Sequence, residues 1–197
     1  MTKILILGAH GQIARAATRL LLESTDAELT LYLRKAKRLS SLEGNDRVRL
    51  VEGDVLDTAT LHAAIAGQDV VYANLSGDME RQARAIVTAM DKAGVNRLIF
   101  ICSMGIYDEA PGERHGAILD PYRRSAAAIE ASDLDYTIIR PAWLSNENEI
   151  AYGTTVKGET FANAGAYVSR KSVADLIVKL VTTPTFGIRE SMGVHAA

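Results

Sequence analysis

The chain has 197 residues, of which 48% are hydrophobic and 23% charged, and a formal net charge of −2. This composition is typical of a soluble domain, and the small charge gives no reason to expect a nucleic acid or an anionic membrane as a partner. No apolar run reaches the length of about 18 residues that a membrane span requires, and the first residues show no signal-peptide layout. A single cysteine, Cys102, excludes an internal disulfide, so we expect a cytoplasmic protein of one domain, residues 1–197. The four histidines are scattered and predict no metal site.

A strand, a tight turn and a helix are predicted at the start of the chain. An apolar run stops at Gly8, and hydrophobic residues recur at helical spacing from Ile13 onward. Gly8 permits a positive φ, and Gly11 lets another backbone or a ligand approach without a Cβ in the way. The first amides and the positive dipole end of such a helix favour a pyrophosphate, and Ala14 stands where the dinucleotide fingerprint has its third glycine. The alternative is an ordinary turn between a strand and a helix.

A basic segment follows the second predicted strand, Glu28–Leu33. In a dinucleotide fold, an acid at this point hydrogen-bonds the 2′-hydroxyl of NAD, but here Arg34 follows Leu33. A guanidinium grips a 2′-phosphate through a forked, charge-assisted contact. We therefore predict NADP as the preferred cofactor, with NAD as the alternative. The other interpretation of residues 34–38 is the solvated start of a helix.

Strands continue to alternate with helices along the chain. The further predicted strands cover residues 48–51, 69–73, 97–102 and 136–139, and the further helices cover 58–66, 79–93, about 121–131, and a last stretch that begins at the N-cap Ser169. Apolar strands of this kind predict a doubly wound parallel sheet, an α/β fold with its ligand crevice at the carboxyl ends of the strands. The loops expected to open on that crevice begin at Gly8, Arg34, Asp54, Asn74, Ser103 and Pro141.

Two irregular stretches are predicted to form a small substrate-pocket region, at about 104–120 and 142–168. The second stretch is expected to hold a short hairpin around 155–161. Asp54 has two interpretations, which are contact with the adenine amino group and an Asx-type turn. Cys102 ends an apolar run and is predicted to be a buried structural thiol.

Short motifs along almost the whole chain carry a resemblance to a known family. They are GAHG at 8–11 with Arg15, GDVLD at 53–57, SMGIY at 103–107, SDLDYTIIRP at 132–141 and VSRKSVA at 168–174. With them the chain resembles the atypical short-chain dehydrogenase/reductases, in particular the NmrA-like and biliverdin/flavin reductase B-like members. The resemblance implies an NAD(P)-binding Rossmann fold, with residues 141–144 near the nicotinamide.

The strand ends and the resemblance together give a set of candidate cofactor-binding residues. The set comprises Gly8, His10, Gly11, Gln12, Ile13, Arg34, Asp54, Val55, Asn74, Leu75, Ser76, Ser103, Tyr122, Pro141, Ala142, Trp143 and Leu144.

The candidate catalytic residues are fewer, because the family's tyrosine–lysine pair is incomplete. Ser103 matches the serine that polarises a carbonyl, although it could instead satisfy the strand end. Tyr122 begins the expected helix, but four residues later the chain has Ala126 in place of lysine. Tyr107 is a further candidate to line the pocket or to donate a proton. Tyr167 and Lys171 have the right spacing at the last helix, where we interpret them as a coincidence.

Three functions are considered. The favoured one is an NADPH-dependent oxidoreductase that reduces a small molecule such as a quinone, flavin or carbonyl compound. The alternatives are an NmrA-like redox sensor that binds NADP without turnover, and an NAD-dependent epimerase or dehydratase, for which the residues after Pro141 leave little room for a substrate domain. We expect a monomer or a small homo-oligomer with a small-molecule substrate.

Overall fold

A twisted sheet of eight strands forms the centre of the protein. The structure, a computed structural model, describes residues 1–112 and 116–197. In that part of the chain the sheet has the order β3-β2-β1-β4-β5-β6-β10-β8, and all neighbouring strands are parallel except β8, which is antiparallel to β10. Two further strands, β7 and β9, form a parallel ribbon of their own. The strands are β1 (Lys3–Leu7), β2 (Glu28–Leu33), β3 (Val48–Glu52), β4 (Val70–Ala73), β5 (Arg97–Ile101), β6 (Asp135–Pro141), β7 (Trp143–Ser145), β8 (Gly153–Val156), β9 (Tyr167–Ser169) and β10 (Glu190–His195).

Helices cover both faces of the sheet, since its central strands are buried on both sides. The helices are α1 (Gln12–Ser24), α2 (Thr58–Ile65), α3 (Met79–Ala93), α4 (Asp120–Glu130) and α5 (Arg170–Thr182), with 3₁₀ turns at Ala36–Leu42 and Gly116–Leu119. One core layer packs α1 and α5 against the sheet, and the other packs α2, α3 and α4. The predicted doubly wound α/β sheet is confirmed, with its first six strands in the order β3-β2-β1-β4-β5-β6.

Local signals in the sequence fix several helix ends. Asp57 caps α2 by accepting from the amides of Ala59 and Thr60, and Ser169 caps α5 by accepting from the amide of Ser172. Gly94 ends α3 in the left-handed conformation, with φ of 68°. None of the helices in the described residues is long and apolar enough to cross a lipid bilayer.

The predicted hairpin at 155–161 is wrong. Strand β8 pairs with the distant strand β10, with Thr155 opposite Gly193, rather than with the residues that follow it. Strand β10 itself is absent from the sequence prediction, because its polar and small residues ESMGVH lack a strand pattern. The ring of Phe161 occupies the space that a side chain at position 193 would need. The pairing therefore depends on a long-range contact, which local sequence patterns do not reveal.

Candidate functional site

A crevice opens where the strand order reverses, between β1 and β4. A cavity of about 520 Å³ lies there and is bounded by the segments that follow β1, β2, β3 and β4. A cavity of this size at the switch point of a doubly wound sheet is the usual place for a ligand. Its lining residues are Gly8, His10, Gly11, Tyr32, Leu33, Arg34, Lys35, Arg38, Gly53, Asp54, Val55, Asn74, Leu75, Ser76 and Gln82.

The glycine turn after β1 closes tightly against the end of β4. Gly8 has φ of 74°, and a Cβ there would overlap the main-chain carbonyl of Asn74. At Gly11 a Cβ would overlap the side-chain amide of Asn74, so the close neighbour expected at this glycine is a side chain of the protein. The N–H groups of Gly8 and Gly11 are satisfied by Tyr32 and Gly8 carbonyls, at 3.0 and 2.9 Å. Both glycines are thus required by the packing of two neighbouring strand ends.

The start of α1 is left open to a ligand. Gly11 at the N-cap position provides no side-chain hydrogen bond, and the first turn holds no acidic residue. The N-cap and the first turn therefore supply no side-chain anion that would compete with a ligand for the first amides and the positive end of the helix dipole. Gln12 and Ile13 contribute this first turn, although their side chains do not line the cavity.

The rim of the cavity beside β2 is cationic. Arg34, Lys35 and Arg38 line it. Partial burial lowers the pKa of His10, and the nearby charges of Arg15 and Arg38 lower it further. The carboxylate of Glu52 at the end of β3 accepts from the amide of Ala36 at 2.8 Å and so caps the turn in the basic segment.

The segment after β3 forms the opposite wall. Asp54 Oδ1 accepts from the amide of Leu56 at 2.9 Å, so the predicted Asx-type turn is present, and the same residue lines the cavity. Beneath it, the buried hydroxyl of Tyr32 donates to the carbonyl of Asp54 at 2.8 Å, and burial raises the pKa of Tyr32 to about 12. Gly53 is needed because a Cβ there would overlap the Tyr32 hydroxyl. Local sequence patterns give no signal for this buried tyrosine.

The segment after β4 completes the cavity with Asn74, Leu75 and Ser76. Gln82 from α3 donates through Nε2 to the carbonyl of Ser76 at 3.2 Å. Its Oε1 atom is buried and has no hydrogen-bond partner among the residues that the structure describes. A buried polar atom of this kind costs free energy unless it is paired, so a ligand donor in the cavity would stabilise it.

The ends of β5 and β6 lie together farther along the same edge of the sheet. The amide of Met104 donates to the carbonyl of Pro141 at 3.2 Å, and the Ser103 hydroxyl donates to the carbonyl of Met104 at 3.1 Å. The amide of Ala142 donates to the carbonyl of Val194 at 2.8 Å. Of the candidate residues, Ser103, Tyr122 and residues 141–144 do not line the cavity between β1 and β4. They follow or adjoin the ends of β5 and β6.

Tyr122 lies in the first turn of α4, beside the end of β5. Its carbonyl accepts from the hydroxyl of Ser125 at 2.8 Å and is 3.8 Å from the Cys102 thiol. Burial raises the pKa of Cys102 to about 12, which agrees with the predicted structural thiol. The side chain of Tyr122 is half-buried against the α3–α4 layer. This placement is compatible with a pocket-lining role, which remains a prediction.

The hydroxyl of Tyr107 is committed to contacts inside the protein. It donates to Glu130 Oε1 at 2.6 Å and lies 3.2 Å from the Ser191 hydroxyl. Burial and the hydrogen bond to Glu130 raise the pKa of Tyr107 well above its ordinary value. Its place in this network does not favour the predicted role as a proton donor.

A buried ion pair that sequence reasoning missed holds the turn after Ser103. Arg140 is fully buried and pairs with Glu109. The carboxylate of Glu109 also accepts from the amides of Gly105 and Tyr107, at 3.1 and 2.9 Å. Arg140 in turn donates to the Ser191 hydroxyl and to the carbonyls of Thr155 and Ser191, at 3.0, 3.2 and 3.1 Å. Arg140 is part of the motif at 132–141, but local sequence patterns do not predict that it pairs with Glu109.

The N-terminal turn of α5 contacts the second of the two stretches predicted to form a substrate pocket. Ser169 and Ser172 both donate to the carbonyl of Glu149, at 2.6 and 3.3 Å, and Lys171 donates to Asn148 Oδ1 at 2.9 Å. Tyr167 is 65% exposed, and Lys171 donates to Asn148. Both observations agree with the interpretation of the Tyr167–Lys171 spacing as a coincidence. Residues 113–115 of the first predicted stretch lie outside the described residues. Within residues 1–112 and 116–197, no group of three His, Cys, Asp or Glu side chains could hold a metal ion.

The chain is similar over most of its length to several known proteins. A solved NAD(P)-binding Rossmann-fold protein from Shigella flexneri is 42% identical, and the alignment covers all of this chain and 94% of that one, with a TM-score of 0.87. A short-chain dehydrogenase/reductase from Veillonella parvula, solved in complex with NADP, is 29% identical over 98% of this chain and 94% of its own, with a TM-score of 0.91. An uncharacterized sugar epimerase of Bacillus subtilis, YhfK, is 28% identical over 89% of this chain and 86% of its own length.

The family itself is identified by a match over most of the chain. The sequence pattern of the NAD(P)H-binding family covers residues 8–184, from the glycine turn to the end of α5. The Veillonella protein adds the short-chain dehydrogenase/reductase fold over nearly the full length. The chain therefore belongs to the NAD(P)H-binding family and has its Rossmann fold.

Proposed function

We propose that this protein is an NADPH-dependent reductase of a small molecule. The observation that carries the proposal is the crevice at the switch point of the sheet, where an uncapped helix start and a cationic rim line one cavity. The buried, unpartnered Oε1 of Gln82 adds an acceptor for a ligand hydrogen-bond donor. These features fit a dinucleotide that carries negative charge at both its pyrophosphate and its ribose phosphate.

We assign a set of residues to each part of the cofactor. The glycine turn and the first amides of α1 would hold the pyrophosphate, and Arg34 with Arg38 would hold the 2′-phosphate. Asp54 and Val55 would flank the adenine, while Asn74, Leu75 and Ser76 would support the sugar nearest β4. The group at the β5–β6 end, which includes Ser103, Tyr122 and residues 141–144, would surround the nicotinamide.

NADP is proposed over NAD because of charge. Arg34 follows β2 directly and lines the cavity, and Lys35 and Arg38 lie on the same rim. The acid in this neighbourhood, Glu52, is engaged with the amide of Ala36. A forked guanidinium matches a phosphate dianion, whereas the free 2′-hydroxyl of NAD gains little from it.

The chemistry at the β5–β6 end requires a hydride donor, an oriented acceptor and a proton. Bound NADPH supplies a hydride from its nicotinamide ring. The Ser103 hydroxyl lies at the end of β5, where it could orient an acceptor oxygen, and the turn after it is fixed by the Glu109–Arg140 pair. The chain has Ala126 where the family has the lysine partner of Tyr122, so we assign the final proton to solvent or to Tyr122 acting without a lysine.

The replacement by Ala126 favours one alternative, an NADP-binding redox sensor without turnover. An assay of NADPH oxidation at 340 nm with a panel of quinones, flavins, ketones and aldehydes separates the two functions. A reductase oxidises NADPH in the presence of at least one acceptor, and the rate is proportional to the protein concentration. NADPH binding without oxidation across the panel would favour the sensor and contradict the proposal.

A further inference from the structure

A second cavity lies at the amino ends of the strands, on the side of the sheet away from the crevice. Its volume is about 370 Å³, and residues at the starts of β1, β4 and β5 and at the end of α5 surround it. At 3.3 Å per residue, the five residues of β1 separate it from the crevice by about 15 Å. Its lining residues are Met1, Thr2, Asp69, Val70, Arg97, Leu180, Val181 and Pro184.

Arg97, the first residue of β5, brings a buried positive charge to this cavity. Its side chain is only 9% exposed. Nη1 donates to the carbonyl of Asp135 at 2.9 Å and to Thr137 Oγ1 at 2.8 Å, and Nη2 donates to the carbonyl of Phe186 at 3.1 Å. All three acceptors are uncharged groups. In the part of the chain that the structure describes, Arg97 therefore forms no ion pair with a carboxylate.

The hydrogen-bonding capacity of this guanidinium is also incomplete. It has five N–H groups, and the three contacts above leave one on Nε and one on Nη2 without an acceptor. Nε is buried and has no hydrogen-bond partner among residues 1–112 and 116–197. Burial lowers the pKa of Arg97, and the charge of Asp135 offsets only a part of this effect. An anion in the cavity would supply both a counter-charge and an acceptor.

The other walls of the cavity limit the kind of anion. Val70, Leu180 and Val181 are at most 5% exposed and give the cavity an apolar side, which suits a ligand with a hydrocarbon part. Asp69 adds a negative charge to the lining, and its Oδ2 accepts from the amide of Lys3 at 2.7 Å. This charge disfavours a ligand with two negative charges, such as a dicarboxylate or a phosphate dianion.

We propose that this cavity binds a small organic acid with one carboxylate and a short apolar chain. The carboxylate lies against Arg97, because a guanidinium binds both carboxylate oxygens through its fork of N–H groups. The apolar chain packs on Val70, Leu180 and Val181. The site is separate from the crevice assigned to the cofactor, and the inference does not depend on the proposed reductase function.

The test is a titration with sodium pentanoate, followed by ¹H–¹⁵N correlation spectra of the protein without nucleotide. An N-terminal tag is avoided because Met1 lines the cavity. We expect saturable shifts of the amide signals of Val70 and Arg97 and of the Arg97 Nε–H signal. The amide signals of Gly8 and Asn74, at the crevice, should stay fixed. Pentanamide has the same chain without the charge and should bind at least tenfold more weakly.

The first variant tests the guanidinium. Arg97→Lys keeps a positive charge but removes the fork, so it should weaken pentanoate binding at least tenfold. Arg47→Lys is the matched control, since Arg47 also donates to main-chain carbonyls, those of Leu22 and Thr25, and does not line the cavity. The control should change the affinity less than twofold.

The second variant keeps the inference testable if Arg97→Lys fails to fold. Asp69→Asn removes the negative charge from the lining and retains an oxygen that can accept from the amide of Lys3. It should therefore tighten pentanoate binding at least threefold. Asp26→Asn is the control, because Asp26 is exposed before β2 at the same end of the sheet and does not line the cavity. It should change the affinity less than twofold.

Several results would overturn the inference. Absence of saturable shifts at millimolar pentanoate would do so, and so would equal affinity for pentanoate and pentanamide, which would make the cavity an apolar void. Unchanged affinity in Arg97→Lys or in Asp69→Asn would contradict the role of the two charges. Shifts at Gly8 and Asn74 that Arg34→Ala removes would place the acid in the crevice. All of these results would leave the proposed reductase function standing.

Discussion

The two ends of the crevice are built in different ways. At the β1–β4 end, each wall is a short loop between a strand and the next regular element, and the residues that matter lie within a few positions of a strand end. At the β5–β6 end, the walls are held by contacts between residues far apart in the chain, of which Arg140–Glu109 and Ser172–Glu149 are examples. Under the proposed function, the first end would hold the cofactor and the second would hold the substrate, and sites of different function are commonly built on one fold.

The largest expected effect comes from breaking the buried ion pair at the β5–β6 end. Arg140→Met leaves the Glu109 carboxylate buried without its cation, so we expect the free energy of unfolding to fall by about 3–5 kcal/mol. Urea denaturation measures the change. The matched control is Arg84→Met, which removes the exposed pair with Glu80 and should cost no more than about 0.5 kcal/mol. Equal denaturation midpoints for the two variants would contradict the role assigned to Arg140.

The next effect tests the glycine turn at the β1–β4 end. Gly8 and Gly67 have nearly the same φ, 74° and 75°, but Gly67 has open space around its missing Cβ. Gly67→Ala should therefore cost only the conformational strain, about 1–2 kcal/mol, without changing NADP affinity. Gly8→Ala should add about 1–3 kcal/mol of overpacking against Asn74 and weaken NADP at least tenfold. Thermal unfolding and calorimetric titration of both variants check this, and equal behaviour would show that the turn is not constrained by Asn74.

A smaller effect tests the cationic rim. Removing the guanidinium in Arg34→Ala should weaken NADP by about 1.5–3 kcal/mol, the value of a hydrogen bond to a charged group, and leave NAD affinity unchanged. Lys37→Ala is the control, because Lys37 is exposed in the same basic segment but does not line the cavity. Equal weakening of NADP and NAD, or the same loss in both variants, would refute the assignment of Arg34 to the 2′-phosphate.

The smallest expected effect is a pH dependence from His10. In the free protein the pKa of His10 lies below 6.5, because of partial burial and the charges of Arg15 and Arg38. Bound phosphates would raise this pKa, so binding takes up a proton and NADP affinity should increase as the pH falls toward 6. Since the side chain is at the surface, the gain between pH 8 and pH 6 should stay within about 1 kcal/mol, or fivefold. His10→Gln should flatten the profile, and an unchanged profile in that variant would contradict the linkage.

The same contrast explains how much the sequence could predict. Strand β2 has the predicted bounds, and the predicted N-cap Ser169 accepts from the amide of Ser172. The parallel sheet follows from alternating apolar strands and helices, and its order brings Gly8, Arg34, Asp54 and Asn74 to one cavity. These features depend on residues close together in the chain.

The parts that the sequence could not supply depend on distant partners. The pairing of β8 with β10, which overturns the predicted hairpin, joins residues about forty positions apart, such as Val156 and Met192. In the sequence Tyr32 is an ordinary strand residue, and its hydrogen bond to the carbonyl of Asp54 is evident only from the structure. The position of Tyr107 after Ser103 makes it a proton-donor candidate. Its hydroxyl, however, is hydrogen-bonded to Glu130 and Ser191, which lie in α4 and β10. Tertiary contacts of this kind leave no local pattern.

Calorimetric titration of the wild-type protein with NADP and, in parallel, with NAD is the most direct measurement of the central claim. The uncapped start of α1 and the basic rim predict one saturable site per chain, with NADP bound at least tenfold more tightly than NAD. Absence of binding for both nucleotides at millimolar concentration would contradict the assignment of the crevice, and tighter binding of NAD would contradict the role of the rim.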